Sequence, residues 1–335
     1  MNLNAKAWNQ LARDMRKFEE VRPHWGCLKI ALAVSFLTAT SFMGLSADRW
    51  SLIVSWGVVG GLAYAYALIP THDAIHYTLT GWKWVDELYS RLVAYPIIWT
   101  HGTYAHVHRI HHRMNGLDVA DPERKNPTEA EYFHQNPIKR FYYRHRLMVD
   151  VFVFAGLGLI ITNLRDGFRY GKKSASARRA VFGDLLGILL THAMIIAALL
   201  PLGLVSQFYL LVIIWERVAG GILQFRAHIE HDSIDLAVGH HYLLQITSCR
   251  NIRTHPLISR YFNRLTYHSV HHTFPNVPFY SLPAAHAVMV QFASQHGIDM
   301  TEDHGYWGAG VNILREPRYF LTDHNGRIVG SKAAS

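Results

Sequence analysis

The chain has 335 residues, a formal net charge of +9, 23 histidines and two cysteines. That length admits two soluble domains or one larger unit, while Cys27 and Cys249, which form no CxxC pair, exclude a fused iron–sulfur or rubredoxin module and argue against a disulfide framework. The positive charge comes without a base-stacking or helix-turn-helix pattern, so it does not read as nucleic-acid binding.

In chain order, Asn4–Val21 patterns as a surface amphipathic helix with Trp8, Leu11, Met15 and Phe18 on one side, and it lacks the charged-then-apolar signal of a leader. Segments 28–45 and 51–69 follow, the first with one charge, Lys29, the second with none. A span needs about 20 apolar residues. The short turn Ser46-Ala-Asp-Arg-Trp50 makes these two segments a hairpin. Segments 185–200 and 202–214, the latter extending into WERVAGGIL, make a second hairpin that turns at Pro201-Leu-Gly203. Basic residues at both approaches (Lys6, Arg13, Arg16, Lys17 and Arg22; then Arg165, Arg169, Lys172, Lys173, Arg178 and Arg179) place those approaches in the cytoplasm. With 70–146 and 163–180 both inside, the apolar run 147–162 does not cross, and reads as re-entrant or interfacial. The tail after about Gln295 is polar and Gly-rich, with Asp323-His-Asn-Gly326 as a turn signal and a small β-hairpin as one outcome.

The expected fold is therefore an all-α integral membrane protein of two transmembrane helical hairpins, four spans in all. To these it adds an interfacial or re-entrant helix and a cytoplasmic helical cap. It reads as a single integral-membrane domain over 1–335. Residues 1–27 are the cytoplasmic amphipathic segment, 28–69 and 184–224 the hairpins, and 70–183 and 225–335 the cytoplasmic blocks.

Histidine is concentrated in those blocks as His72-Asp-Ala-Ile-His76, His108-Arg-Ile-His111-His112 and His268-Ser-Val-His271-His272, with a looser pair His228-Ile-Glu-His231. Residues three or four apart share a helix face, so each cluster can aim two or three imidazoles at one point. So many converging imidazoles exceed one tetrahedral zinc and point to two metal ions. The HxxHH spacing occurs twice, which makes chance surface clustering a poor account. Metal-bound imidazoles donate their other N–H to a carboxylate or carbonyl, and Asp73, Asp121, Glu230 and Asp232 are the nearby acidic candidates. His192 lies inside a predicted span, where a neutral imidazole bonded to a neighbouring helix is the favoured reading. His240, His241, His255 and His286 read as structural or surface residues.

This pattern resembles the membrane-bound fatty acid desaturase and hydroxylase superfamily over about residues 50–290. His72–His76 is similar to its first box and His108–His112 to its second, with Asp121-Pro-Glu123 similar to the family's acidic-proline turn. Tyr267-His-Ser-Val-His-His-Thr-Phe-Pro-Asn276 with Pro278 is similar to the third box. The resemblance implies metal ligation by His72, His76, His108, His111, His112, His268, His271 and His272. It further implies a ligand from His228 or His231, with His231 slightly favoured, and Gln224 as an alternative holder of a metal-bound water.

A nearly all-histidine site suits iron that activates dioxygen, so two iron ions and O2 are the expected cofactor and co-substrate. The expected reaction is oxidation of an unactivated C–H bond of a long hydrocarbon chain drawn from the bilayer, fatty acyl desaturation foremost. Hydroxylation of an alkyl, acyl or carotenoid chain, or oxidative decarboxylation of a fatty acid to a terminal alkene, are the alternatives. A membrane metal transporter or sensor would need ligands lining a path within the spans. The chain shows neither a haem motif nor a nucleotide fingerprint. The expected partners are therefore membrane lipid and an external electron carrier with its reductase: a ferredoxin, rubredoxin or cytochrome b5. The active site is expected on the cytoplasmic side of a bacterial inner membrane, beside a face rich in arginine and lysine (Arg109, Arg113, Arg124, Lys139, Arg140, Arg144 and Arg146 among them).

Overall fold

The structure, a computed structural model, describes residues 5–234 and 241–334. His240 lies outside the described residues, and of His241 only the backbone is described. Helices α1 (Ala5–Met15), α2 (Pro23–Leu45), α3 (Trp50–Ile75), α4 (Lys83–Ala94) and α5 (His101–Met114) come first. They are followed by α6 (Glu129–Phe133), α7 (Pro137–Met148), α8 (Ala155–Gly171), α9 (Ala175–Leu199) and α10 (Val205–His231). The last third holds α11 (His241–Thr247), β1 (Asn251–Arg253), α12 (Pro256–Tyr261), α13 (His268–Thr273) and α14 (Leu282–Gln295). It ends with β2 (Glu302–His304), α15 (Tyr306–Arg315), β3 (Arg318–Thr322) and β4 (Ile328–Ala333). Two compact units result: Arg22–Arg109 with Asp150–Phe225, and Met1–Val21 with Ile110–Val149 and Arg226–Ser335. We call them the apolar unit and the polar unit.

The apolar unit is built from helices whose outer faces stay hydrophobic. Phe36, Leu62, Leu189 and Met194 are all exposed, the mark of a helix made for a hydrocarbon surround. Close approach of the helices depends on missing side chains. A Cβ on Gly60 of α3 would meet the Trp215 indole of α10 at 2.3 Å, and one on Gly220 of α10 would meet the Gly156 nitrogen of α8 at 1.9 Å. Small residues at such crossings let backbones pack where no hydrophobic driving force separates helix from lipid. The amide of Gln207 donates to the carbonyls of Gly44 (2.7 Å) and Ala47 (3.0 Å), satisfying the turn between α2 and α3.

Among the described residues five helices, rather than four, are long and apolar enough to cross a membrane: Pro23–Leu45, Trp50–Ile75, Pro137–Gly171, Ala175–Leu202 and Val205–His231. The third contains the stretch 147–162 expected at the interface. There α7, a π-helical turn over Val149–Phe154 and α8 run on as one helix of 35 residues. The backbone at His145 leaves helical geometry (φ −118°, ψ 15°), so α7 is kinked before the apolar part begins.

In the polar unit α1 forms as its periodicity predicts, but its apolar side turns inward. Leu11 and Met15 are fully buried, and Trp8 stacks on Phe274 with centroids 5.7 Å apart. The all-α expectation needs correction here. Strand β1 pairs with β2 in parallel, and β3 pairs with β4 antiparallel about the Asp323–Gly326 turn. Asp323 Oδ1 accepts the N–H groups of Asn325 and Arg327, and Gly326 takes φ +79°. The β3–β4 hairpin forms because the loop after α5 offers partners: Val119 donates to Gly326, Ile328 to Leu117 and Phe320 to Pro127.

Candidate metal centre

Helix α5 carries His108, His111 and His112 on one face, His108 in the apolar unit and the other two in the polar unit. In the apolar unit the imidazoles of His72 and His76, at the end of α3, gather with that of His108. Ring centroids are 4.7 Å apart for His72–His108 and 5.7 Å for both His72–His76 and His76–His108. The Asp73 carboxylate stands 3.6 Å from His72 Nδ1.

In the polar unit the gathering is tighter. His231, Cys249, His268 and His272 each offer one ligand atom, all within 4.8 Å of one another. His111 joins them, its ring centred 4.7 Å from His231 and 4.9 Å from His272. His231 and His268 bring their Nε2 atoms to 2.8 Å, and His112 and His271 theirs to 3.2 Å. The short helix α13 is locked in place by Ser269, whose N–H donates to Asn251 Oδ1 and whose hydroxyl donates to the Cys249 carbonyl. Thr273 closes its other end on the carbonyls of Ser269 and Gln245.

The surroundings of these rings decide their chemistry. His111 Nδ1 lies 2.8 and 2.9 Å from the two Asp121 oxygens, which makes Nδ1 the protonated nitrogen and leaves the Nε2 lone pair for a ligand. Burial disfavours a charged His111, but Asp121 and Glu123 outweigh it and raise its pKa. His268 goes the other way: burial and then the neighbouring imidazoles hold it well below the ordinary value, so it is neutral with a lone pair. Glu230 stands 3.4 Å from His268 Nε2 and 3.6 Å from Arg226. Neutral imidazoles converging with a thiol, their ligand atoms within 4.8 Å of one another, are a nitrogen-rich donor set of the kind that transition-metal ions fit.

Of the two residues competing between the second hairpin and the third box, His231 enters the group. His228 is directed to Asp232, Nδ1 to Oδ2 at 3.0 Å. Asp232 is in turn ion-paired with the buried Arg146, and Arg146 also donates to Asn126. Burial raises the Asp232 pKa, yet Arg146 and His228 more than offset that, and the carboxyl lies well below its usual range. Gln224 donates to the Ala155 carbonyl at 3.3 Å within the apolar unit. His192 bonds Tyr209 of α10 through Nδ1 at 3.0 Å, as favoured for an imidazole inside a span.

Two residues at the centre escaped the sequence reading. Cys249 has no partner cysteine in spacing to signal it, yet it lies fully buried with Sγ 3.9 Å from His231 Nδ1, and burial pushes its thiol pKa well up. Asn115 donates to Cys249 Sγ at 3.2 Å and faces His272 Nδ1 at 3.5 Å. Its spacing of four from His111 put it on the ligand face, and that signal was available.

These features define a helical membrane protein with a buried polyhistidine site. Residues 48–304 match the family model described as fatty acid desaturase. A dihydrorhizobitoxine desaturase from Bradyrhizobium elkanii is 24% identical over 291 residues, covering 84% of this chain and 81% of that protein. The chain belongs to the fatty acid desaturase family, and it is an oxidoreductase acting on a hydrocarbon chain.

Proposed function

We propose that the chain is a multi-pass enzyme of the bacterial inner membrane with a cytoplasmic active site. It carries out the O2-dependent oxidation of an unactivated C–H bond in a long chain, fatty acyl desaturation foremost. The observation that carries this reading is the group His111, His231, His268 and His272, with Asp121 behind His111. The three boxes and His231 would supply nitrogen donors for two irons, and this group would hold one of them. Bound iron would supply the O2-dependent removal of hydrogen from a methylene.

The chain's own residues do the rest. Asp121 holds the Nδ1 proton of His111, and Asn115 orients His272. The rings of His111, His268, His271 and His272 are buried, which excludes water from the donor atoms. Exposed apolar side chains along the spans present the protein to the hydrocarbon in which the substrate dissolves. The four-span topology is retained for Pro137–Gly171. Lys139, Arg140 and Arg144 at one end and Arg165, Arg169 and Lys172 at the other favour the same, cytoplasmic side.

Electrons come from an external ferredoxin, rubredoxin or cytochrome b5. Arg146 and Arg124 do not belong to a docking field, because Arg146 is buried against Asp232 and Arg124 pairs with Glu131 at 3.0 Å. Exposed Arg113, Lys139, Arg140 and Arg144 remain for an acidic carrier.

Expression in a host of known lipid content, followed by gas chromatography–mass spectrometry of lipids, free acids and volatile hydrocarbons, tests the reaction. A new double bond in an acyl chain supports desaturation, whereas an alcohol or a shortened terminal alkene replaces it with the corresponding alternative. Iron analysis near two per chain is expected, and zinc at one per chain would overturn the site.

A further inference from the structure

Three polar side chains of the apolar unit sit where a plain membrane helix would not carry them, and all three serve one short stretch of backbone. Asp184 of α9 is buried and accepts four hydrogen bonds. Its Oδ1 takes the Tyr95 hydroxyl (3.0 Å) and the Gly102 N–H (3.1 Å), and its Oδ2 takes the Thr103 N–H (2.7 Å) and hydroxyl (2.8 Å). Asn163 of α8 donates to the Thr100 carbonyl (3.0 Å) and hydroxyl oxygen (2.7 Å). His192 Nε2 lies 3.2 Å from the Tyr95 carbonyl. The segment they hold is the link between α4 and α5, a single 3-10 turn over Tyr95–Ile97 that Ile98 ends at φ +63°.

The place of that link along α9 fixes its depth. His192 is ten residues before the end of the Ala175–Leu202 span, roughly 15 Å along a helix rising 1.5 Å per residue, so near the middle of the hydrocarbon layer. A Cβ on Gly187 would meet the Tyr95 ring at 2.3 Å, so that ring packs directly on the α9 backbone, roughly 7.5 Å from His192 toward the α9 start. Helix α4 has 12 residues and α5 has 14, both too short to cross. Irregular backbone at such depth persists only where its N–H and C=O groups are satisfied inside the protein, and Asn163, His192 and Asp184 supply partners at the Thr100 and Tyr95 carbonyls and the Gly102 and Thr103 N–H groups.

The two faces of α4 complete the picture. Asp86, Tyr89, Ser90 and Val93 are buried, and the Tyr89 hydroxyl donates to the Ala67 carbonyl of the span α3 at 2.7 Å. The opposite face is a stripe at i, i+4, i+8: Trp84, Leu88 and Leu92, exposed by 70, 50 and 66%. That exposure continues the lipid-facing character of the neighbouring spans, where Leu189 is exposed by 66%.

We propose that α4, the Tyr95–Thr100 link and the start of α5 enter the membrane as a re-entrant hairpin. Trp84, Leu88 and Leu92 contact lipid acyl chains, and Asn163, Asp184 and His192 clamp the tip. The proposal rests on the multi-pass topology given above, and it revises the part of 70–146 that was expected to lie wholly in the cytoplasm. Its consequence for the site is direct: Asp184 fixes the first turn of α5, so it is a positioning residue for His108 of the second box.

Spin labels at Leu88→Cys and Leu92→Cys in a Cys27→Ser background, in liposomes, test the lipid contact. Leu189→Cys serves as the hydrocarbon reference and Trp307→Cys as the aqueous one. Oxygen collision is expected to exceed that of a water-soluble nickel complex at 88 and 92, as at 189. If 189 reads hydrocarbon while 88 and 92 read aqueous, or are shielded from both probes by protein, the hairpin is refuted and the topology survives. If 189 itself reads aqueous, the topology fails and the hairpin fails with it. Asp184→Ala should increase the mobility of a label at Ile98→Cys and lower bound iron several-fold, with Asp184→Asn in between. Unchanged mobility at position 98 would refute the clamp, whatever happens to activity.

Discussion

His111 and His72 are both buried imidazoles near helix ends, yet their second nitrogens meet different kinds of support. His111 leans on Asp121, ten residues on, in a loop that the β3–β4 hairpin holds from the far end of the chain. His72 stands beside Asp73, its own neighbour on α3, at 3.6 Å. Around His111 the polar unit adds further long-range ties: Asn115 to Cys249, Ser269 to Asn251, Arg146 to Asp232. Around His72 the apolar unit relies on helix packing and on the main-chain turn in which Asp73 O accepts the N–H groups of His76 and Thr78. His111 is oriented by a carboxylate on a loop that a remote hairpin holds, and His72 stands at the end of its own helix beside Asp73.

The largest expected effect does not discriminate between the halves, and that sets the baseline. His76→Ala, His111→Ala and His271→Ala should each abolish turnover and lower bound iron. His134→Ala and His304→Ala, off the boxes, should leave most activity. Equal tolerance at both sets would remove the metal centre altogether.

The second effect should separate the halves. Loss of a carboxylate that orients a metal-bound imidazole costs roughly 10–100-fold in metal affinity. Asp121→Asn should fall in that range by metal titration, and Asp73→Asn should cost less, because its contact is longer and the α3 backbone still aims the ring. Equal losses at the two positions would dissolve the comparison. Removing β3 and β4 by truncation after Pro317 should approach the Asp121→Asn loss, since the hairpin holds the Leu117–Pro127 loop. Full iron affinity in the truncated protein would show that the loop keeps its shape unaided.

What the sequence made legible follows the same division. The two apolar hairpins, the box spacings and the amphipathic pattern of α1 were readable because helix periodicity and hydropathy are local properties, whereas the inward turn of α1 depends on remote partners such as Phe274. The pair His228 and His231 stayed open for a physical reason: at a spacing of three both lie on one face, and only the fold shows the Asp232 carboxylate at His228 Nδ1 and His268 at His231 Nε2. Cys249 was passed over, and Arg146 was counted with the exposed basic face, for a related reason. A lone thiol and one more arginine carry no pattern, and their roles depend on partners that are remote in sequence. The α4–α5 hairpin was hidden by length, since helices of 12 and 14 residues fall below any test for a span.

The smallest effect concerns the outer edge of the Asp121 loop and has a pH signature. Thr128 and Glu131 form a reciprocal cap at the start of α6, and Glu131 also holds both arms of Arg124, whose guanidinium bonds the Val119 and Asn126 carbonyls inside the loop. Burial opposes the Glu131 charge, but Arg124 and the Thr128 groups prevail and its pKa is lowered in the folded protein. A carboxyl with a depressed folded pKa contributes stability above its unfolded value, about 4.3, and that contribution is lost as pH falls through and below it. Glu131→Gln should therefore lower the Tm of the solubilised protein at pH 7 and by progressively less as pH falls toward its depressed folded pKa, while Thr128→Ala should cost about 1 kcal/mol as an ordinary cap loss. The same Glu131→Gln protein should bind iron a little less tightly at pH 7, through Arg124 and the loop that presents Asp121. A Tm difference that stays constant from pH 7 to 3.5 would show that Glu131 acts by shape alone, and would confine the charge-dependent support of the polar unit to Asp121 and Asp232.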